Sequence, residues 1–157
     1  MAFLLWLEST DYSNWILTST AGWPLMLTTH AIGLAIVVGI TFSLNLRLLG
    51  LYGTIPYTSL RELMGFAWVG IALNTVTGLS LFMTQASSYV VSIPFLLKIT
   101  FIILGVVNLV YAQKILRLEA SGWQAAGSVS RRGLALAGSS LFLWVAAVVT
   151  GRLIAYL

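Results

Sequence analysis

Residues 24–49 read PLMLTTHAIGLAIVVGITFSLNLRLL, a run in which no Lys, Arg, Asp or Glu precedes Arg47. A helix of about 20 apolar residues crosses a hydrocarbon layer of roughly 30 Å. The run is therefore long enough to span a membrane, and it predicts a transmembrane helix. It also contains His30, the only histidine of the chain.

The composition of the whole chain also indicates a membrane protein. Of its 157 residues, 59% are hydrophobic and 8% are charged, whereas a soluble domain carries roughly 25% charged residues. Eight Lys and Arg residues outnumber four Asp and Glu residues. We interpret this excess as basic loops at a cytoplasmic membrane surface and expect no nucleic-acid binding. The chain has no cysteine, which excludes disulfides and thiolate metal sites.

Four apolar runs predict four transmembrane helices in a single membrane domain, residues 1–157. The runs cover about residues 25–46, 63–84, 95–113 and 133–151, separated by segments with the Gly, Pro and Ser content of connectors. Lipid offers no partner for backbone N–H and C=O groups, so helices are the structure that satisfies these runs. The predicted fold is an all-α integral membrane protein, a four-transmembrane-helix bundle.

The basic residues predict the direction of the helices. The first and third connectors contain six of them, and the second connector and the N-terminal segment contain none. By the positive-inside rule, the first and third connectors are cytoplasmic, so both termini are predicted to be periplasmic. The six residues are Arg47, Arg61, Lys114, Arg117, Arg131 and Arg132.

The N-terminal segment, residues 1–23, is too polar to span a membrane. Glu8 and Asp11 interrupt its apolar residues, among which are Trp6 and Trp15. This pattern predicts a periplasmic interfacial helix, or a pair of turns, anchored by its tryptophans. A secretory signal would carry basic residues in place of these acids, so we expect the segment to be retained.

Three basic side chains depart from the charge pattern, because His30, Lys98 and Arg152 are predicted near the outer ends of their helices. At 1.5 Å per residue, His30 is about 9 Å past the start of its run. Charge inside a membrane is costly unless it is paired, and Glu8 and Asp11 are predicted on the same side. One interpretation is therefore structural, with the two acids pairing with Lys98 or Arg152.

The other interpretation is a binding site for an anionic or redox-active ligand. Met26 lies one turn before His30 on the same helix face, and Met83 lies at the outer end of the second helix. A histidine with a methionine can ligate haem iron or copper, which makes His30 the candidate metal ligand. Lys98 and Arg152 suit haem propionates, a quinone carbonyl or a lipid head group. Haem, quinone, copper and bound lipid all stay open.

Deeper polar and aromatic residues predict helix contacts. Asn74, near the middle of the second run, is expected to form a hydrogen bond across a helix interface, with Asn108 as the candidate partner. Trp68 and Trp144 are deep and need an indole N–H partner or an intersubunit contact. They predict a homo-oligomer or a subunit of a larger membrane complex, in contact with membrane lipids.

The two halves of the chain echo each other. An alignment sets His30 near Lys98 and the VTG of residues 76–78 on the VTG of residues 149–151, at offsets of roughly 68 to 73 residues. Such an echo predicts two related helical hairpins.

Four stretches of the chain are distinctive: HAIGLAIVVG, NLRLLGL, GFAWVGIALNTVTGLSLF and SYVVSIPFLLKITFIILGVVN. They resemble an uncharacterised family of small bacterial four-helix inner-membrane proteins, over about residues 23–108. The resemblance implies the four-helix fold and a bacterial inner membrane. The chain is also distantly similar, in topology and in the outward-facing histidine, to copper-resistance membrane proteins and to b-type cytochromes. The copper-resistance proteins have more His or Met ligands than this chain, and the b-type cytochromes have histidine pairs. The positions that match the family are His30, Gly33, Arg47, Gly50, Thr77, Gly78, Phe95 and Lys98.

These observations predict a non-catalytic membrane subunit or anchor. Its outer face is expected to associate with a membrane or periplasmic redox complex of electron transport. No acidic residue lies inside a predicted span, so carboxylate-based catalysis is not expected of the chain alone. One alternative is a haem-, quinone- or copper-handling protein that uses His30. Another is a small oligomeric transporter or channel, although four short spans leave little room for a solute path.

Overall fold

A computed structural model of the chain describes residues 1–156, and within that range it is built from seven helices. Four of them are long and apolar enough to cross a membrane. The prediction of an all-helical chain with four candidate spans is thereby confirmed. The helices are α1 (Ala2–Glu8), α2 (Asp11–Thr18), α3 (Gly22–Leu48), α4 (Leu60–Thr84), α5 (Ala86–Tyr89), α6 (Ile93–Ala126) and α7 (Arg131–Leu153), and the candidate spans are α3, α4, α6 and α7.

The third span departs most from its predicted bounds. The sequence predicts a connector from residue 114, but α6 continues as a helix to Ala126, over 34 residues. The reason is a buried stripe at helical spacing, Leu116, Ala120 and Trp123, which packs beyond the apolar run. Gly127 then ends the helix with a left-handed φ of 67°, a conformation that favours glycine.

The four spans form two helical hairpins, α3 with α4 and α6 with α7. The hairpins join where α3 packs against α7, and there the amide of Asn45 donates a 2.8 Å hydrogen bond to Ser140 Oγ. On the opposite side of the bundle, α4 and α6 have far fewer contacts. The two hairpins are therefore closely packed along one seam and separated along much of the other.

The hydrophobic core fills the end of the bundle next to the first and third connectors. It draws buried side chains from all four spans, so α4 and α6 are held together at this end. The gap between them is confined to the other end of the bundle. The core residues are Leu44, Leu48, Tyr57, Leu60, Met64, Ala67, Leu109, Ala112, Leu116, Ala120, Trp123 and Ala137.

Arg47 organises the connector between α3 and α4. Its side chain is 6% exposed, and its guanidinium donates to the carbonyl oxygens of Ile55 at 2.6 Å and Gly53 at 3.3 Å and to the hydroxyl of Tyr57 at 2.9 Å. The guanidinium carbon also lies 3.9 Å from the Tyr57 ring centroid. Arg47 is thus buried beneath the connector, where carbonyl and aromatic groups satisfy its charge.

The N-terminal segment forms α1 and α2, which pack at the end of the bundle away from the core. Ile16 of α2 is fully buried, and the hydroxyl groups of Tyr12 and Ser80 are 2.9 Å apart, which ties α2 to α4. The backbone N–H and the hydroxyl of Ser87 both donate to Oε1 of Glu8 at 2.7 Å. These bonds, the backbone one foremost, lower the pKa of Glu8.

The packing of α3 against α4 corrects the predicted role of Asn74. A Cβ atom added to Gly33 would lie 2.6 Å from Oδ1 of Asn74, so the amide fits only because α3 has a glycine there. The predicted partner, Asn108, instead donates to Ser139 Oγ at 2.8 Å and to the Leu136 carbonyl at 3.3 Å, both in α7. The partner differs because α6 packs mainly along α7 and has few contacts with α4.

The deep tryptophans are accommodated within one chain. Trp144 is 4% exposed, and its ring lies 3.3 Å from where a Cβ atom on Gly105 would be. Trp68 is partly buried against the hydrophobic core. Gly105 thus makes room for the indole within the chain, and the intersubunit contact stays a prediction.

Candidate functional site

A cleft of about 680 Å³ lies between α4 and α6, at the end of the bundle away from the core. Residues of α3 and α7 form its floor, and residues of α4 and α6 form its walls. Most of the lining side chains are apolar, among them Leu79 and Leu96, which keep 59% and 50% of their surface exposed. The cleft is therefore open, and its volume is in the range of small-molecule sites.

An aromatic stack bounds the end of the cleft that lies away from the hydrophobic core. The rings of Phe82 in α4 and Phe95 in α6 are 5.6 Å apart, and Tyr89 stacks on Phe95 at 5.2 Å. This stack bridges the two walls above the cleft, while the hydrophobic core joins them below it. The stack was not predicted from the sequence, because its three residues are separated along the chain.

The three basic residues singled out in the sequence all line this one cleft. His30 lies on the floor from α3, Lys98 on the wall from α6, and Arg152 at the end of α7. None of the four acidic side chains of the chain lines the cleft. The structure thus brings together two cations and an imidazole in a largely apolar setting.

His30 is held in place by α4. Its Nδ1 atom lies 2.9 Å from Oγ1 of Thr77, and its ring packs over Gly78, where an added Cβ atom would lie 3.4 Å from Cε1. The hydroxyl of Thr77 also donates to the Leu73 carbonyl at 2.8 Å. The imidazole therefore has a fixed position beside the floor of the cleft.

Lys98 is held in the same way by α7. A Cβ atom on Gly151 would lie 3.3 Å from both Cδ and Cε of Lys98, so the aliphatic stem of the lysine packs on that glycine. The ammonium nitrogen Nζ lies 3.6 Å from the same position, so the end of the side chain is also beside Gly151. Arg152, the next residue after the glycine, is exposed and donates to the hydroxyl of Tyr156 at 3.0 Å.

The other residues of the predicted cluster lie elsewhere. Glu8 bonds to Ser87 instead of pairing with Lys98 or Arg152, and Asp11 is in the first turn of α2. Met26 and Met83 are half-buried and do not line the cleft. Within residues 1–156, no group of three or more His, Asp or Glu side chains is placed to hold a metal ion.

Two buried polar atoms belong to residues that line the cleft, Asn74 and Trp144. Within the described part of the chain, neither Oδ1 of Asn74 nor Nε1 of Trp144 has a hydrogen-bond partner. A buried polar group without a partner is uncommon in a folded protein. The sequence singled out both residues for their depth, but their place beside the cleft depends on how the hairpins pack.

Comparisons with protein-family models, with curated proteins and with solved structures found no match.

Proposed function

We propose that this protein is a multi-pass membrane protein that binds an anionic phospholipid in the cleft between α4 and α6. One observation carries the proposal: Lys98 and Arg152 lie with His30 in an apolar cleft that no acidic side chain lines. Positive charge at membrane depth is costly without a counter-charge. The acidic head group of a lipid supplies one.

The cleft matches the two parts of such a ligand. Lysine and arginine bind phosphate oxygens by charge-assisted hydrogen bonds, which are about twice as strong as neutral ones. The apolar walls, formed by residues such as Leu79, Phe82 and Leu96, suit an acyl chain. Because the walls are exposed between α4 and α6, a lipid can enter sideways from the bilayer.

The orientation we propose follows from charge. The basic connectors face the cytoplasm and both termini face outward, and the resemblance to small bacterial four-helix proteins supports a bacterial inner membrane. Phe3 and Trp6 of α1 keep 65% and 60% of their surface exposed, which suits a segment lying in the outer interface. The cleft then opens to the outer leaflet.

The earlier alternatives relate to this cleft in different ways. A quinone would occupy the same place through its carbonyl oxygens, but it would leave the two positive charges uncompensated. Haem iron or copper could be bound there only by Nε2 of His30, because Nδ1 contacts Thr77. A role as a subunit of a redox complex, and assembly into an oligomer, stay predictions.

Native mass spectrometry of the detergent-solubilised protein tests the proposal. We expect phosphatidylglycerol to be retained in preference to phosphatidylcholine and to a quinone. Replacing both cations, in Lys98→Met/Arg152→Met, should weaken retention by about a hundredfold or more, because each lost charged hydrogen bond accounts for about tenfold or more. The matched control is Lys114→Met/Arg132→Met, which removes two exposed cations outside the cleft.

The control variant should retain phosphatidylglycerol as the unmodified protein does. Equal retention of phosphatidylglycerol and phosphatidylcholine would overturn the proposal. A preference for the quinone would do so as well and would favour the quinone alternative.

A further inference from the structure

We infer that the lipid head group in the cleft carries a free hydroxyl beside its phosphate, as a phosphoglycerol head group does. This inference rests on the proposed function and names the class of lipid. It depends on the hydrogen bond between His30 and Thr77, and on which ring nitrogen of His30 this bond leaves free to bind a ligand.

The proton of the Thr77 hydroxyl determines the tautomer of His30. A threonine hydroxyl has one proton to donate and two lone pairs to accept with. The 2.8 Å contact of Thr77 Oγ1 with the Leu73 carbonyl uses that proton, because a carbonyl oxygen only accepts. In the 2.9 Å contact with His30, Oγ1 therefore accepts, and Nδ1 of the imidazole carries the proton.

The other ring nitrogen is then an acceptor. In a neutral imidazole with a proton on Nδ1, Nε2 has a free lone pair. Lys98 and Arg152 already bring two positive charges to the cleft, so a third on His30 would be costly in apolar surroundings. His30 lines the cleft, and its Nε2 is not among the buried atoms that lack a partner. Nε2 is thus accessible to a ligand.

The cleft therefore offers two kinds of hydrogen-bonding group. Lys98 and Arg152 can only donate, and they require an acceptor such as a phosphate oxygen. His30 requires a donor. A phosphoglycerol head group has an anionic phosphate and free hydroxyls, whereas the phosphodiester phosphatidylmethanol has the same single negative charge without a hydroxyl. A head group with an ammonium donor would be repelled by the two cations.

The tautomer can be measured directly, because His30 is the only histidine. In protein labelled with ¹⁵N-histidine, the imidazole nitrogen signals belong to this one residue. We expect the proton on Nδ1 and a lone pair on Nε2. A proton on Nε2, or on both nitrogens, would overturn the inference.

Lipid selectivity provides the second measurement, again by native mass spectrometry. The protein should retain phosphatidylglycerol about threefold to tenfold better than phosphatidylmethanol, which corresponds to the free energy of one hydrogen bond. Thr77→Val removes the acceptor for Nδ1–H and should abolish this difference while phosphatidylmethanol is still retained. Thr77→Ser keeps the hydroxyl and should keep the difference.

Equal retention of phosphatidylglycerol and phosphatidylmethanol, both above phosphatidylcholine, would overturn the hydroxyl inference and leave the proposed function standing. Failure to prefer either acidic lipid over phosphatidylcholine would overturn the proposed function itself.

Discussion

Lys98 packs on Gly151, with its Cδ and Cε atoms 3.3 Å from where a Cβ atom would be. His30 has the same relationship to Gly78 in the first hairpin, at 3.4 Å from Cε1. Each glycine ends a Val-Thr-Gly triplet. In each hairpin, a side chain of the first helix therefore packs on the glycine that ends this triplet in the second helix, and both side chains line the cleft.

Gly151→Ala should displace Lys98 from its place in the cleft. At 3.3 Å the new methyl group is too close to the lysine stem, but the stem is flexible and can move, so stability should change little. Retention of phosphatidylglycerol should fall severalfold. Gly138→Ala in the same helix is the control, since nothing lies within 4 Å of its added Cβ atom. An equal effect of both variants on lipid retention would contradict this prediction.

Arg47→Lys should loosen the connector between α3 and α4. Lysine cannot reproduce the planar fork that bonds Ile55, Gly53 and Tyr57, and we expect a loss of about 1–3 kcal/mol in the free energy of unfolding. Amide hydrogen exchange over residues 49–59 should also become faster. Arg131→Lys, at an exposed position, should leave both quantities unchanged. Unaltered exchange in the Arg47 variant would show that the connector does not depend on this arginine.

Attachment of α1 should depend on pH through Glu8. The bonds from Ser87 lower the pKa of Glu8 in the folded protein below its ordinary value of 4.5. Its contribution to stability is therefore complete above pH 4.5 and is lost as the pH falls below that value toward the lowered pKa. Because the chain has no cysteine, a spin label at Leu5→Cys reports on α1 alone, and its mobility should rise on acidification.

Glu8→Gln is the control for this pH effect. The amide oxygen of glutamine still accepts a hydrogen bond from Ser87, but it does not titrate in this range. Label mobility in that variant should be the same at neutral and acidic pH. A rise as large as in the unmodified protein would assign the effect to another group.

The direction of the chain can be tested with fusions to the C-terminus. Alkaline phosphatase should be active there, because it folds in the periplasm, and a green fluorescent protein fusion at the same place should be dark. The reason is the concentration of basic residues in the first and third connectors. The opposite pair of results would reverse the orientation and place the cleft in the inner leaflet.

Much of the fold could be predicted from the sequence, because the length of an apolar run alone identifies a helix that can cross a membrane. Depth along each helix was also enough to group His30, Lys98 and Arg152 at one end. The length of α6 could not be predicted in this way. Lys114 marks the end of the apolar run, yet the helix continues because its opposite face packs against the core.

The cleft itself could not be predicted. In a membrane bundle, the side chains that face lipid and those that face the core are both apolar, so the sequence does not say which helix pairs touch. The Asn74 prediction failed for this reason, since it assumed that α4 packs along α6. The hydrogen bonds from Ser87 to Glu8 were not predicted, because the carboxylate was expected to pair with Lys98 or Arg152.

A photoactivatable phosphatidylglycerol, with a diazirine on its acyl chain, tests directly whether an anionic lipid occupies the cleft. After illumination in vesicles and peptide mapping by mass spectrometry, we expect labels on the cleft walls, at Leu79, Leu96 and neighbouring residues. Excess phosphatidylglycerol should compete for these sites, and phosphatidylcholine should not. Labelling without competition, spread equally over exposed residues outside the cleft such as Phe66 and Phe142, would contradict this expectation.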